Sequence, residues 1–318
     1  MPLHPQAVEI IAALDAGFPA LGTEGIDADT ARAILAAQPP PPIDPVPVGR
    51  VQDRTVPGAD GDVPARVYWP VGRDGPAGPP LPLVVFFHGG GFALCDLDSH
   101  DAVCRNITNM VDAVVVSVEY RLAPATRFPG GVEDAYAATV WAHEHASELG
   151  GDPDRLVVMG DSSGGNYAAV VALMARDRQG PPIALQYLIY PVTDRNFESG
   201  SYRENGEGYF TTTTHLRWYW EQYIGSDGAH ADHPYASPLR AADLSGLPPA
   251  RVLTAEYDPL RDEGEAYAAR LTDAGVDASL RRFDGMFHGF FTFSQIFPPG
   301  QQANEEEFAA LRERLHAG

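Results

Sequence analysis

From residue 50 onward, short apolar runs of strand length alternate with segments that have helical spacing. The strand candidates are Leu81–Phe87 and residues 113–118, 155–159, 185–190, 251–256 and 278–283, preceded by a hairpin over 50–57 and 65–68. The helix candidates are residues 101–111, 128–146, 166–176, 264–274 and 304–316. Strands that alternate with helices predict an α/β protein whose mostly parallel sheet is covered by helices on both faces.

Two segments depart from this alternation. Residues 1–50 carry two helix candidates, 5–17 and 27–37, followed by a proline-rich linker over 39–47. Residues 195–235 are polar at first and then contain an aromatic helix candidate, 215–224. We therefore predict a main α/β domain over 51–194 and 236–318, with an N-terminal helical arm and an inserted segment that fold over it.

Composition narrows the partners and the compartment. The 318 residues carry a net charge of −21 and no lysine, which argues against nucleic acid as a partner. Cys95 and Cys104 are the only cysteines, so neither a disulfide framework nor a zinc site is predicted. The apolar runs are shorter than a membrane span and no leader segment is recognisable, so we expect a cytoplasmic protein with no membrane span.

The strongest chemical motif is Gly-Asp-Ser-Ser-Gly-Gly at residues 160–165. It follows a β-branched apolar run and precedes an alanine-rich helix candidate. A G-x-S-x-G turn between a strand and a helix is the setting of a nucleophile elbow, in which the serine hydroxyl is raised above the sheet. Gly160 and Gly164 lack a Cβ, so strand and helix can approach closely. Ser162 is the predicted nucleophile.

A serine nucleophile needs a base, and the base needs an acid that orients it. Asp258 follows the strand candidate 251–256, and His288 follows the last strand candidate, in the chain order serine, acid, histidine. Because parallel strands end at one edge of the sheet, we expect both side chains near Ser162. The alternatives are Asp262 and Glu256 for the acid, and His4, His100, His143, His145, His215, His230, His233 and His316 for the base.

His-Gly-Gly-Gly-Phe at residues 88–92 directly follows the strand Leu81–Phe87. Consecutive glycines let backbone N–H groups converge on an oxyanion, together with the N–H of the residue after the nucleophile, here Ser163. A phosphate-binding loop is less consistent with the sequence, which has neither G-x-G-x-x-G nor a Walker lysine. His88 is interpreted as a scaffold for this loop and not as a base.

Together these motifs resemble the hormone-sensitive lipase family of bacterial esterases, over about residues 50–295. The segments that carry the resemblance are residues 88–92, 120–124, 160–165, 258–262 and 288–290. The resemblance implies an α/β-hydrolase fold with a small helical cap, the triad Ser162, Asp258 and His288, and oxyanion donors at Gly90, Gly91 and Ser163, with Gly89 as a further one. The sequence departs from the family pattern at Ser163, where alanine is common, and at Ala125, where glutamate is common.

The predicted function is hydrolysis of short to medium acyl chain esters without a cofactor or metal. An apolar pocket is expected from aromatic residues of the inserted segment, of the loops over 88–92 and 284–290, and of the end of the strand candidate 185–190. These residues are Phe92, Tyr190, Tyr209, Phe210, Trp218, Trp220, Phe287 and Phe290. The expected partner is a small-molecule ester, and a homodimer is possible. The alternatives are an amidase, carbamate hydrolase or lactonase with the same triad, and a small-ligand receptor on this fold.

Overall fold

One mixed sheet contains all the strands of residues 2–39 and 43–317, the part of the chain described by the computed structural model. The strands are β1 (Arg50–Gly58), β2 (Gly61–Trp69), β3 (Leu81–Phe87), β4 (Val114–Val118), β5 (Gly151–Asp161), β6 (Leu185–Ile189), β7 (Ala250–Tyr257) and β8 (Ala278–Phe287). The helices are α1 (Pro5–Gly17), α2 (Ala28–Ala36), α3 (Asp101–Val111), α4 (Gly130–Glu144), α5 (Ala146–Leu149), α6 (Ser163–Asp177), α7 (Gly200–Asn205), α8 (Thr213–Ile224), α9 (Arg261–Asp273) and α10 (Pro298–His316).

The strand order across the sheet is β1-β2-β4-β3-β5-β6-β7-β8. The β1–β2 hairpin pairs antiparallel within itself and with β4, whereas β3 to β8 are all parallel. The predicted α/β class with a mostly parallel sheet is confirmed. Because β3 and β5 to β8 run in the same direction, the loops that follow them leave the sheet at one edge.

Both faces of the central strands are buried, and the alternation of side chains along β3 shows this directly. Leu83, Val85 and Phe87 belong to the core on the side of α4, α6 and α9, while Val84 and Phe86 belong to the core on the side of α3 and α10. All of β3 and β4 is buried. These strands therefore read as continuous apolar runs and not as alternating ones.

Several predicted boundaries were wrong. Strand β8 continues to Phe287, where a loop over 284–290 was expected, because it pairs again with β7 beyond a bulge. Helix α7 was not predicted at all, and α10 begins at Pro298, six residues before the predicted start at residue 304. The predicted helix over 128–146 is α4 followed by the short α5. The linker predicted over 39–47 includes residues 40–42, which lie outside the described residues.

The turn between β5 and α6 is the tightest backbone contact near the sheet edge. A Cβ at Gly164 would collide with the carbonyl oxygen of Phe87 on β3, and one at Gly160 would collide with the carbonyl of Gly164. Helix α6 therefore begins in direct contact with the sheet backbone. Its residues from Ser163 to Ala175 are all buried, which fixes the helix against further adjustment.

We predict that Gly164→Ala lowers the free energy of unfolding by about 2–3 kcal/mol, because backbone and not a flexible side chain meets the added methyl group. Urea unfolding of purified protein measures this change. The control is Gly17→Ala, where a Cβ would lie 3.2 Å from the end of the Gln38 side chain; we expect a change below about 0.5 kcal/mol. Equal midpoints for Gly164→Ala and the wild type would contradict the prediction.

Candidate active site

Ser162 sits at the elbow between β5 and α6 in a backbone conformation that side chains rarely adopt, with φ 55° and ψ −118°. The turn is held by its own backbone. The Ser162 amide donates to the carbonyl of Ile189 at 2.9 Å, and the Ser162 carbonyl accepts from the amides of Asn166 at 3.0 Å and Val192 at 3.1 Å. These bonds to β6 and α6 hold the strained residue with its hydroxyl at the sheet edge.

His288 links the serine to a buried acid. His288 Nε2 lies 3.0 Å from Ser162 Oγ, and His288 Nδ1 lies 2.7 Å from Asp258 Oδ2. Asp258 is fully buried, and its other oxygen accepts from the amide of Leu260 at 2.8 Å. With Nδ1–H donating to the carboxylate, Nε2 is left as the acceptor for the serine proton. The structure brings the three predicted residues together.

The alternative acids lie in other contacts. Asp262 Oδ2 accepts from the amide of Ser201 at 2.7 Å, and Glu256 Oε2 accepts from the amide of Gly285 at 2.7 Å. Within the described part of the chain, His288 is the only histidine that hydrogen-bonds Ser162 Oγ. The histidines that the sequence left open therefore do not compete with it for the serine.

Helix α7, which sequence reasoning missed, holds the turn that carries the acid. Ser201 Oγ donates to the carbonyl of Pro259 at 2.6 Å, and Asn205 Nδ2 donates to the carbonyls of Glu256 and Asp258 at 3.1 and 3.4 Å. The polar composition of residues 196–206 was the available signal for these bonds. The inserted segment thus supports Asp258 as well as covering the sheet.

Residues 88–92, the glycine loop, approach the elbow from β3. Gly90 and Gly91 have φ of 111° and 59°, which favour glycine, and no acceptor within the described residues takes either amide proton. Ser163 is the first residue of α6, so its amide has no intrahelical partner. Gly89 differs, because its amide already donates to Asp161 Oδ1 at 2.9 Å. Geometry removes Gly89 from the predicted donors.

His88 supports the glycine loop from beneath. Its ring is fully buried and stacks on Tyr120 at 4.3 Å between ring centroids. The Tyr120 hydroxyl donates to the His88 carbonyl at 2.6 Å, and His88 Nδ1 lies 2.7 Å from the Gly89 carbonyl. Burial, helped by the nearby His100, lowers the pKa of His88 to about 4. The ring is therefore neutral at pH 7, as suits a scaffold.

A cavity of about 180 Å³ opens beside Ser162 and His288. Three of the predicted aromatic residues line it: Phe92, Phe210 and Trp220. The other five do not. Tyr190 packs on the His288 ring at 4.6 Å, Tyr209 packs on Tyr257, Trp218 is buried beside the N-terminal arm, and Phe287 and Phe290 are fully buried in the core.

Sequence reasoning missed other lining residues, among them Phe18, His215, Leu216, Tyr219, Thr292 and Phe293. Helical spacing explains which residues of α8 line the cavity. Leu216 and Trp220 are four residues apart and share the face toward the cavity with Tyr219, whereas Trp218 points away from it. A helical projection of 215–224 would have separated these residues.

Neither a metal cluster nor a membrane helix is found in the described residues. No group of three His, Cys, Asp or Glu side chains there is arranged to hold a metal ion. No helix over 2–39 or 43–317 is both long enough and apolar enough to cross a membrane.

Comparison with known proteins defines the class that this fold and site represent. Residues 84–292 match the model of a protein family that has the α/β-hydrolase fold. Carboxylesterase NlhH of Mycobacterium tuberculosis is 44% identical over 307 residues, which span 94% of this chain and 93% of that protein. The ethyl acetate hydrolase of Pseudomonas putida is 35% identical over 99% of this chain and 100% of its own length.

Solved structures agree with the sequence relatives. The hyperthermophilic esterase from the archaeon Pyrobaculum calidifontis superimposes with a TM-score of 0.88 at 42% identity, covering 99% of each chain. The chain belongs to this α/β-hydrolase family, and it is a serine carboxylesterase. The family resemblance drawn from the motifs is confirmed.

The buried neutral His88 predicts a loss of stability toward acid. The unfolded chain binds a proton at this ring below about pH 6.5, whereas the folded chain binds it only near pH 4, so stability falls as the pH drops through this window. We expect His88→Asn to remove about 2 kcal/mol of the stability difference between pH 7.5 and pH 5, measured by urea unfolding at both values. His230→Asn, at an exposed ring, should keep the wild-type difference. An unchanged difference in His88→Asn would contradict this assignment.

Proposed function

We propose that the protein hydrolyses small carboxylic esters in two steps through Ser162, His288 and Asp258. Ser162 Oγ attacks the ester carbonyl carbon while His288 Nε2 takes the hydroxyl proton, and the carbonyl electron pair moves onto the oxygen. When this intermediate collapses, the bond to the alcohol oxygen breaks and His288 returns the proton to the leaving alcohol. Water then attacks the acyl carbonyl carbon while His288 takes its proton. The bond to Ser162 Oγ breaks, His288 returns the proton to that oxygen, and the acid is released.

The observation that carries this proposal is the series of contacts from Asp258 through His288 to Ser162. It lies next to backbone N–H groups that bond no acceptor in the described residues. The two contacts of 2.7 and 3.0 Å give His288 the tautomer that a general base needs. The N–H groups of Gly90, Gly91 and Ser163 are the proposed oxyanion donors, because they lie at the Ser162 site and bond no acceptor within residues 2–39 and 43–317. Preorganised backbone donors of this kind stabilise a developing oxyanion without reorganisation.

The proposed substrates have short to medium acyl chains. A cavity of about 180 Å³ is smaller than the roughly 300–1,000 Å³ of sites that hold drug-sized ligands. Its wall is aromatic on the side of Phe92, Phe210 and Trp220, which suits an apolar acyl group. A relative of nearly full length is named for ethyl acetate, an ester with a two-carbon acyl group.

We propose that the arm over 1–50 and the insert over 195–235 together form the cap of this site. Phe18 of the arm packs edge-on against Phe210 of the insert at 5.1 Å, and Arg32 Nη1 donates to the carbonyl of Ala93 at 2.6 Å. We also propose a cytoplasmic location, which agrees with Cys95 and Cys104 being free thiols, as in a reducing compartment. A homodimer remains a prediction.

We expect Ser162→Ala to lower kcat/KM for p-nitrophenyl butyrate by about 10³-fold or more, because it removes the nucleophile. Initial rates measure this loss, and a fluorophosphonate probe should label the wild type but not the variant. Ser245→Ala, at an exposed serine that does not line the cavity, is the matched control and should stay within twofold. Equal labelling of the wild type and Ser162→Ala would rule out Ser162 as the nucleophile.

Chain-length preference tests the size of the site. Across p-nitrophenyl esters from acetate to laurate, we expect kcat/KM for butyrate to exceed that for laurate by about tenfold or more. Phe293→Ala, which removes a ring from the cavity wall, should raise the laurate-to-butyrate ratio by about tenfold. Phe197→Ala removes a half-buried ring outside the cavity and should leave the ratio unchanged. A wild type that prefers laurate would overturn the proposed substrate class.

A further inference from the structure

Asp161 is a buried carboxylate at the site, and neither the triad nor the proposed oxyanion donors explain its presence. Asp161 ends β5 immediately before Ser162, and its side chain is 6% exposed. It lines the cavity, so it lies between the elbow and the glycine loop. It is not a rival to Asp258, because His288 Nδ1 is bonded to Asp258. Burying a carboxylate is costly unless it is paired and hydrogen-bonded, so the partners of Asp161 show what holds it there.

Asp161 makes its bonds to the glycine loop and to a second histidine. Asp161 Oδ1 accepts from the Gly89 amide at 2.9 Å and lies 3.2 Å from His100 Nε2. The same His100 nitrogen lies 3.3 Å from the Gly89 nitrogen. Carboxylate, imidazole and amide therefore form one closed cluster. Through this cluster, the residue that precedes the nucleophile is tied to the loop that carries the proposed oxyanion donors.

The other side of the His100 ring is fixed as well. Its Nδ1 lies 3.0 Å from Ser99 Oγ, and Ser99 uses its own hydroxyl proton to bond the carbonyl of Asp96 at 2.7 Å. Ser99 Oγ is then an acceptor, so Nδ1 carries the proton. The ring is therefore held from Nδ1 while Nε2 faces Asp161 Oδ1 and the Gly89 amide.

The geometry of the loop gives this cluster leverage over the oxyanion site. Gly90 and Gly91 both have positive φ, and their amides have no acceptor in the part of the chain that the structure describes. One fixed point is the Gly89 amide, one residue before the Gly90 N–H. The other is the Gly90 carbonyl, which shares a peptide unit with the Gly91 N–H and accepts from the amides of Ala93 and Leu94 at 3.2 and 2.9 Å. Oxyanion donors act only when they are held within a few tenths of an ångström of the productive position.

We propose that Asp161, oriented by His100, is a positioning residue that holds the Gly89 amide and so aims the N–H groups of Gly90 and Gly91 at the oxyanion. The proposal rests on the oxyanion role assigned above to these two amides. The oxyanion forms in the transition state and not when the substrate binds. Loss of the Asp161 carboxylate should therefore lower kcat with little effect on KM.

The test compares Asp161→Ala, which removes the acceptor, with Asp161→Asn, which keeps an oxygen for the Gly89 amide. For butyrate hydrolysis we expect kcat/KM to fall about 30-fold in the first and less than about fivefold in the second, with KM within twofold. The inhibition constant of a trifluoromethyl ketone, which mimics the tetrahedral intermediate, should rise by the same factor as kcat/KM falls. His100→Leu alone should lower kcat/KM less than Asp161→Ala does, because it leaves the Asp161 carboxylate on the Gly89 amide.

Asp134→Ala is the matched control, since Asp134 is also fully buried and accepts a backbone amide, that of Ala59, at 2.9 Å. We expect it to lower stability while leaving the inhibition constant within twofold. Amide hydrogen exchange over residues 83–95 is a second measurement that needs no activity. Exchange there should be faster in Asp161→Ala than in the wild type, and unchanged in Asp134→Ala. Failure of Ser162→Ala to lose activity would count against the proposed function. Unchanged exchange and inhibition in folded Asp161→Ala would instead overturn the positioning role. If Asp161→Ala does not fold, His100→Leu decides by the same two measurements.

Discussion

The close backbone contact at the β5–α6 turn is the constraint on which the site depends. Because Gly160 and Gly164 have no Cβ, α6 starts against the carbonyl of Phe87, and Ser162 is forced to a positive φ at the sheet edge. The same contact places the N-terminus of α6 next to the loop that follows β3. Nucleophile and proposed oxyanion donors are therefore positioned by one packing interaction between backbones, before any side chain in the cavity contributes.

The remaining groups follow from the direction of the strands. Strands β7 and β8 are parallel to β5, so Asp258 and His288 leave the sheet at the edge where Ser162 lies. Their separation of nearly 100 residues or more from the serine along the chain is irrelevant once the register is set. The short insert helix α7 then locks the acid turn through Ser201 and Asn205. The cap segment thus supports the chemistry as well as the cavity.

The sequence was sufficient for the fold class and for bringing together Ser162, Asp258 and His288, because backbone requirements leave visible marks. Glycines occupy the close approaches, and β-branched runs mark the buried strands. The cavity wall was predicted less well because aromatic residues serve cores and pockets alike. Phe290 and Phe293 are both aromatic and three residues apart, yet the first is buried in the core and the second lines the cavity. Only the packing of the loop after β8 separates them.

Gly89 shows a further limit of motif reasoning and a feature of the electrostatics. It belongs to the same run of three glycines as Gly90, but its amide donates to the side chain of Asp161. In a chain with a net charge of −21, an oxyanion cannot depend on a general positive field. Each of the two buried aspartates at the site, Asp161 and Asp258, instead accepts one backbone amide and faces one histidine. This pairing confines their negative charge locally and leaves neutral backbone dipoles to meet the reacting oxygen.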